Sequence, residues 1–159
     1  MCADRRENIL DDIVDATERS EFTSHSPART RELGQRLAEV LLERGGGLVC
    51  LFGDLGSGKT TLVKGLGKGL GIEDPIVSPS YLLLREYKGK LPLHHIDLFR
   101  IESEEEFIEA GLEDQIVDPD GVVAIEWAGR VERILPVGRF DLKFETEGEE
   151  TRKITLECK

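Results

Sequence analysis

Apolar positions along the chain switch between two periods, and the switches mark its elements. Leu33, Leu37, Val40 and Leu41 recur at helical spacing, which predicts a helix opening at Ser26-Pro27 and closing at Gly45. Serine caps a helix N-terminus, proline is preorganised for the first helical position, and glycine takes the left-handed turn that ends a helix. Leu48 to Phe52 is an unbroken apolar run, the pattern of a parallel strand covered on both faces. Leu62, Val63, Leu66 and Leu70 return to helical spacing. Tyr81 to Tyr87 and Leu93 to Asp97 predict two strands joined by the turn Lys88-Gly89-Lys90, and Val122 to Ile125 predicts another buried strand. Ser103 with Glu106 forms a capping box for a short helix that Gly111 closes. Phe140, Leu142 and Phe144 alternate, as do Ile154, Leu156 and Cys158. With the polar turn Glu147 to Glu150 between them, they predict a closing antiparallel hairpin. Strands alternating with helices make an α/β chain with a largely parallel central sheet and antiparallel margin strands.

The stretch before Ser26 differs in character. Residues 1–25 hold seven carboxylates against three arginines and are expected to form an acidic, partly mobile extension. Ile9, Leu10, Ile13 and Val14 keep helical spacing within it, enough for a short amphipathic helix. Residues 26–159 are then expected to form a single domain. With 39% hydrophobic and 33% charged residues the chain reads as globular and soluble. Its longest apolar run, five residues, falls far short of the roughly 20 that a membrane helix needs. Asp4, Glu7, Asp11, Asp12 and Asp15 interrupt any apolar leader, so a cytoplasmic protein without a membrane partner is expected. A net charge of −11 argues against direct binding of DNA or of tRNA. Cys2, Cys50 and Cys158 have no metal-ligand spacing; Cys50, inside an apolar run, is expected to be a small core residue.

Ten of the 17 glycines fall between Gly45 and Gly71, around a strand-to-helix turn. There Gly53-Asp54-Leu55-Gly56-Ser57-Gly58-Lys59-Thr60 matches G-x-x-x-x-G-K-[ST], the phosphate-binding P-loop. Glycines let backbone N–H groups turn inward around a phosphate. Lys59 supplies charge to the β- and γ-phosphates, the Thr60 hydroxyl ligates Mg²⁺, and the following helix points its positive end at the same anion. The expected fold is therefore a P-loop NTPase-like three-layer sandwich. Such a site needs an acidic partner for magnesium at the end of a neighbouring buried strand, and Glu126, after Val122 to Ile125, fits.

Other residues carry weaker signals. Asp97, ending its strand, is placed to orient an attacking water or hold a magnesium-bound one, or it is simply a turn former; Arg100 is available to phosphate charge. His94 and His95 are as readily cross-strand polar residues on an exposed face, and are not assigned as metal ligands. Val77-Ser78-Pro79-Ser80-Tyr81 is either a switch sensing the γ-phosphate or an ordinary Ser-Pro turn. Glu102 to Asp120 holds nine carboxylates and no basic residue, which is a solvated face or a dock for a basic partner.

In order along the chain, Ser26 through Leu33-Gly34, Gly53 to Thr61, Ser78-Pro79-Ser80-Tyr81, His95-Ile96-Asp97-Leu98-Phe99-Arg100 and Glu126-Trp127 resemble the TsaE family. These are the bacterial P-loop ATPases of tRNA threonylcarbamoyladenosine synthesis. The resemblance spans about Ser26 to Pro136. It implies that Gly56, Ser57, Gly58, Lys59, Thr60 and Thr61 bind ATP phosphates, that Thr60 and Glu126 hold Mg²⁺, and that Ser78 to Tyr81 is switch-like. It also implies that Asp97 and Trp127 are needed for activity and that Ser26 lies near the nucleotide base. Members of this family act as accessory ATPases on a two-protein threonylcarbamoyl-transferase complex and meet tRNA only through it. Three positions depart from the family pattern: Leu82 stands for a threonine, Phe99 for a tyrosine and Ala128 for a proline.

A small-molecule kinase is the competing class, since it shares the P-loop and would recruit Arg100, Arg130 and Arg133 to the transferred phosphate. A GTPase is disfavoured, because the sole asparagine, Asn8, cannot supply an N-K-x-D motif.

Overall fold

The computed structural model of the chain describes residues 19–79, 81–117 and 120–159. Among them, seven strands build one mixed sheet: β1 (Ser20–Ser24), β2 (Gly47–Phe52), β3 (Leu84–Tyr87), β4 (Leu93–Asp97), β5 (Val122–Glu126), β6 (Phe140–Thr146) and β7 (Arg152–Cys158). Their spatial order is β1-β7-β6-β2-β5-β4-β3. The four inner strands β6, β2, β5 and β4 run parallel, while β3 and the β7-β1 pair are antiparallel margins. The expected α/β sandwich is thus the observed one.

Helices cover both faces. On one lie α1 (Pro27–Arg44) and α2 (Lys59–Gly69), packed through Leu37, Leu41, Leu62 and Leu66 onto Val49, Leu51 and Ala124. On the other lie α3 (Glu104–Glu109), α4 (Glu113–Val117) and a 3₁₀ segment (Ala128–Ile134), which bury Phe107, Ile116 and Val131 against Leu48, Cys50 and Ile125. Successive residues of β2 therefore feed alternate cores, which is why that strand reads as continuously apolar. Cys50 is fully buried, a core residue as expected, and that burial, with the neighbouring Asp141 second, pushes its thiol far above the ordinary range. The acidic stretch from Glu102 is amphipathic: Phe107, Leu112 and Ile116 point inward while Glu102, Glu105, Glu106, Glu109, Glu113 and Asp114 face solvent.

The helix ends match the sequence signals. Ser26 accepts a hydrogen bond from the Arg29 N–H at 3.2 Å to cap α1, and Gly45 ends it at φ 77°. Ser103 caps α3 by accepting from the Glu106 N–H at 3.2 Å. α1 and α2 approach so closely that neither tolerates a side chain at the crossing: a Cβ on Gly34 would overlap the Leu62 carbonyl, and one on Gly65 the Arg31 carbonyl. This contact fixes α2, and with it the P-loop, against the first helix.

Two expectations are corrected. Ser20–Ser24, within the stretch assigned to the acidic extension, form β1 and pair with β7, with Phe22 opposite Ile154 on the core side. One inward aromatic among charged neighbours gave too short an alternation to read. Residues 1–18, including the Ile9 to Val14 pattern, lie outside the described residues. The strand expected from Tyr81 begins only at Leu84, because Leu82 and Leu83 donate their N–H groups back to the Pro79 carbonyl and Leu83 turns to φ 62°.

Candidate functional site

The P-loop runs from the end of β2 to the start of α2. Gly58 precedes α2 at φ 105° and no side chain caps the helix, so its leading N–H groups stay available to an anion. Lys59 is 4% exposed. Its ammonium donates to the carbonyls of Gly53 (2.6 Å) and Asp54 (2.8 Å) and lies 3.3 Å from Ser57 Oγ. The Trp127 ring centroid stands 4.3 Å from Nζ, within cation–π reach. Burial lowers the Lys59 pKa below the ordinary lysine value, and the nearby Glu126, Asp97 and Asp54 carboxylates oppose that shift.

Opposite the loop, β4 and β5 end side by side with Asp97 in register with Glu126. Side chains two apart share a face. Leu93, His95 and Asp97 therefore follow one another toward the α2 side, as do Val122, Ala124 and Glu126. The Thr60 hydroxyl donates to Glu126 Oε1 at 2.7 Å, spanning 66 residues of sequence. Glu126 Oε2 accepts from His95 Nε2 at 2.5 Å. Asp97 accepts from the Ser78 hydroxyl (2.6 Å) and the Phe99 N–H (2.9 Å), tying the Val77 to Tyr81 segment to the strand end. Ser80 lies outside the described residues.

Trp127 follows Glu126 in the left-handed region, at φ 60° and ψ 38°. A non-glycine residue there costs about 1–2 kcal/mol, and such strain concentrates at functional sites. The strained turn aims the indole at Lys59 and against Phe99, whose ring centroid is 5.2 Å away. The aromatic ring of Phe99 preserves that stacking without a phenolic hydroxyl.

These groups line a cleft of about 630 Å³, a volume suited to a nucleotide. Gly56, Ser57, Gly58, Lys59, Thr60, Thr61, Asp97, Glu126 and Trp127 all border it. Ser26 does not reach its wall; its hydroxyl caps α1, while its neighbours Pro27 and Thr30 border the cleft. Two contributors escaped the sequence reading. Arg152, on β7, donates from Nη2 to the Gly56 carbonyl at 3.1 Å, and from Nη1 to the carbonyls of Gly148, Glu149 and Thr151. This clamps the β6-β7 hairpin onto the P-loop. His95 is fully buried, contrary to the exposed-face expectation; His94 is a cross-strand partner of Glu86 at 3.1 Å, but its side chain is only 13% exposed. The period-two placement of His95 with Asp97 was the available signal. Nothing local announced Arg152.

The sequence profile of the family described as "Threonylcarbamoyl adenosine biosynthesis protein TsaE" matches residues 24–154. The chain belongs to the TsaE family. A Bacillus subtilis relative, a tRNA threonylcarbamoyladenosine biosynthesis protein TsaE, is 37% identical over 132 residues, covering 82% of this chain and 80% of the relative. A Treponema pallidum protein of the same name is 38% identical over 133 residues, covering 84% and 96%. A Nostoc protein of that name is 49% identical over 106 residues, and the match spans 64% of either chain. The crystal structure of Bacillus subtilis YdiB superposes with a TM-score of 0.70 at 31% identity, covering 87% of this chain and 84% of that one. Among the described residues no helix is long and apolar enough to cross a membrane.

Proposed function

We propose that this TsaE family chain is a Mg²⁺-dependent ATP-binding and ATP-hydrolysing accessory subunit for threonylcarbamoyl transfer to adenosine in tRNA. On this reading it acts on a two-protein transferase complex and meets tRNA through that complex. The observation that carries the reading is the Thr60–Glu126 hydrogen bond at the mouth of the P-loop. The threonine hydroxyl gives its one hydrogen to the carboxylate, which leaves its lone pairs to a cation. Hard oxygen donors beside a phosphate cradle suit magnesium, which takes one or two protein ligands and completes its shell with phosphate oxygens and water.

When bound, the cation would neutralise charge on the β- and γ-phosphates. The chain's own residues do the rest. The N–H groups of Gly56 to Thr61 and the Lys59 ammonium bind the phosphate chain, and Glu126 orients Thr60. Asp97 orients the attacking water or, through Ser78, holds the segment that reports on the γ-phosphate. Trp127, braced by Phe99, covers the lysine and excludes water from it. The kinase alternative would need arginines converging on the cleft. Arg100 borders it and stacks on Tyr81 at 4.3 Å, but Arg133 is an exposed partner of Glu104 at 3.2 Å.

The test is ATP binding and turnover with and without Mg²⁺ in Thr60→Ala and Glu126→Gln. Both substitutions are expected to abolish the magnesium-dependent part. Undiminished magnesium dependence in both would refute the site assignment.

A further inference from the structure

Glu126 is gripped at both oxygens, and only one grip belongs to the P-loop. Thr60 holds Oε1, while Oε2 accepts from His95 Nε2. His95 is 0% exposed and Glu126 3%. In the parallel β4-β5 pairing His95 stands opposite Ala124, two residues before Glu126 on the same face of β5. The other ring nitrogen, Nδ1, is buried with no hydrogen-bond partner, so the imidazole has one polar attachment, the carboxylate. A hydrocarbon would fill this position without leaving a buried polar atom unsatisfied. Packing therefore gives no reason for a histidine here; the bond to Glu126 does.

The terminal torsion of a glutamate is broad, so a carboxylate held at one oxygen turns about it. Held at both, from α2 and from β4, it has one orientation. We propose that His95 is a positioning residue for Glu126. It locks the carboxylate so that Thr60 and Glu126 present their oxygens to a divalent cation in one arrangement. The inference rests on the reading that this pair holds Mg²⁺. Partners that orient a metal ligand in this way typically matter by about 10- to 100-fold in metal affinity.

The test is nucleotide affinity of the full chain in EDTA and in saturating Mg²⁺, read from fluorescence of the sole tryptophan, Trp127, beside Lys59. The ratio of the two dissociation constants measures how far the chain itself engages the metal. His95→Leu is expected to cut that ratio by about 10-fold or more while affinity in EDTA stays at the wild-type value. His95→Gln, whose amide N–H reaches the same oxygen, should restore most of it. If His95→Leu does not fold, His95→Asn takes its place, its shorter amide failing to reach Oε2. An unchanged ratio in the Leu or Asn variant overturns the proposal. So does an equal loss of affinity with and without metal, which marks general loosening of the site. The two readings fail separately. A wild-type ratio near one, untouched by Thr60→Ala, removes the metal site and this inference with it. A ratio that Thr60→Ala abolishes and His95→Leu leaves intact removes the inference alone.

Discussion

Gly65→Ala sets two magnitudes of opposite sign against each other. Glycine within a helix is worse than alanine by about 1 kcal/mol, so propensity alone predicts stabilisation. The structure predicts the reverse. A Cβ at Gly65 would meet the carbonyl oxygen, carbonyl carbon and Cα of Arg31, all backbone, so no rotamer change relieves it. α1 would have to move, and α1 buries Leu33, Leu37, Val40 and Leu41. Overpacking that shifts backbone costs about 1–3 kcal/mol or more, which exceeds the propensity gain. A net loss of up to about 2 kcal/mol should lower Tm by up to about 8 °C in a chain of 159 residues. Gly67→Ala is the internal control, because its Cβ would meet the end of the Ile76 side chain, which can swing aside. Thermal and urea unfolding of both variants measure the difference. A rise in Tm for Gly65→Ala, or equal losses at the two sites, would refute the close-contact account. Because α2 carries Lys59 and Thr60 at its start, weaker nucleotide affinity should accompany the stability loss.

Four more expectations follow from three individual groups. Burial depresses the Lys59 pKa, whereas phosphate favours its charged form, so affinity for nucleotide should fall as pH rises from that lowered value toward 10.5, by at most about tenfold per pH unit. Calorimetric titration across that range checks it, and Lys59→Arg, which keeps its charge, should flatten the decline. Stability of the free protein runs the other way. The unfolded lysine binds the proton more tightly, so Lys59 contributes a gain in stability with rising pH between its lowered value and 10.5. Asp141 is 1% exposed and holds Arg139 Nε at 2.8 Å, so Asp141→Ala should cost about 3–5 kcal/mol in urea unfolding; replacing both by leucine should recover much of it. Arg152→Ala frees the hairpin from the Gly56 carbonyl; nucleotide affinity should fall by about 3- to 10-fold in the same titration, with little change in Tm.

What the sequence disclosed and what it concealed divide along a physical line. The P-loop, both serine caps and the alternating hairpin are local: each is set by residues within one turn or one strand, so spacing displays them. Glu126 was legible because a buried strand ends in a single carboxylate. The His95 grip on that carboxylate was not, because it reaches across 31 residues and only the β4-β5 register brings the two side chains together. Arg152 was concealed more completely, being 96 residues from the Gly56 carbonyl it holds. β1 failed for another reason: its pairing with β7 supplies the hydrogen bonds, and only Phe22 gives it a core side. The shortened β3 failed because Leu83 takes a positive φ that nothing in Tyr81 to Leu84 foretells.

The central claim is that one P-loop site hydrolyses ATP on behalf of a partner complex. Steady-state ATP turnover by this chain, alone and with the two-protein threonylcarbamoyl-transferase complex added, tests it most directly. The account predicts slow turnover alone, a rise with the complex, and loss of both in Lys59→Ala. Turnover indifferent to the complex, or retained in Lys59→Ala, would contradict it.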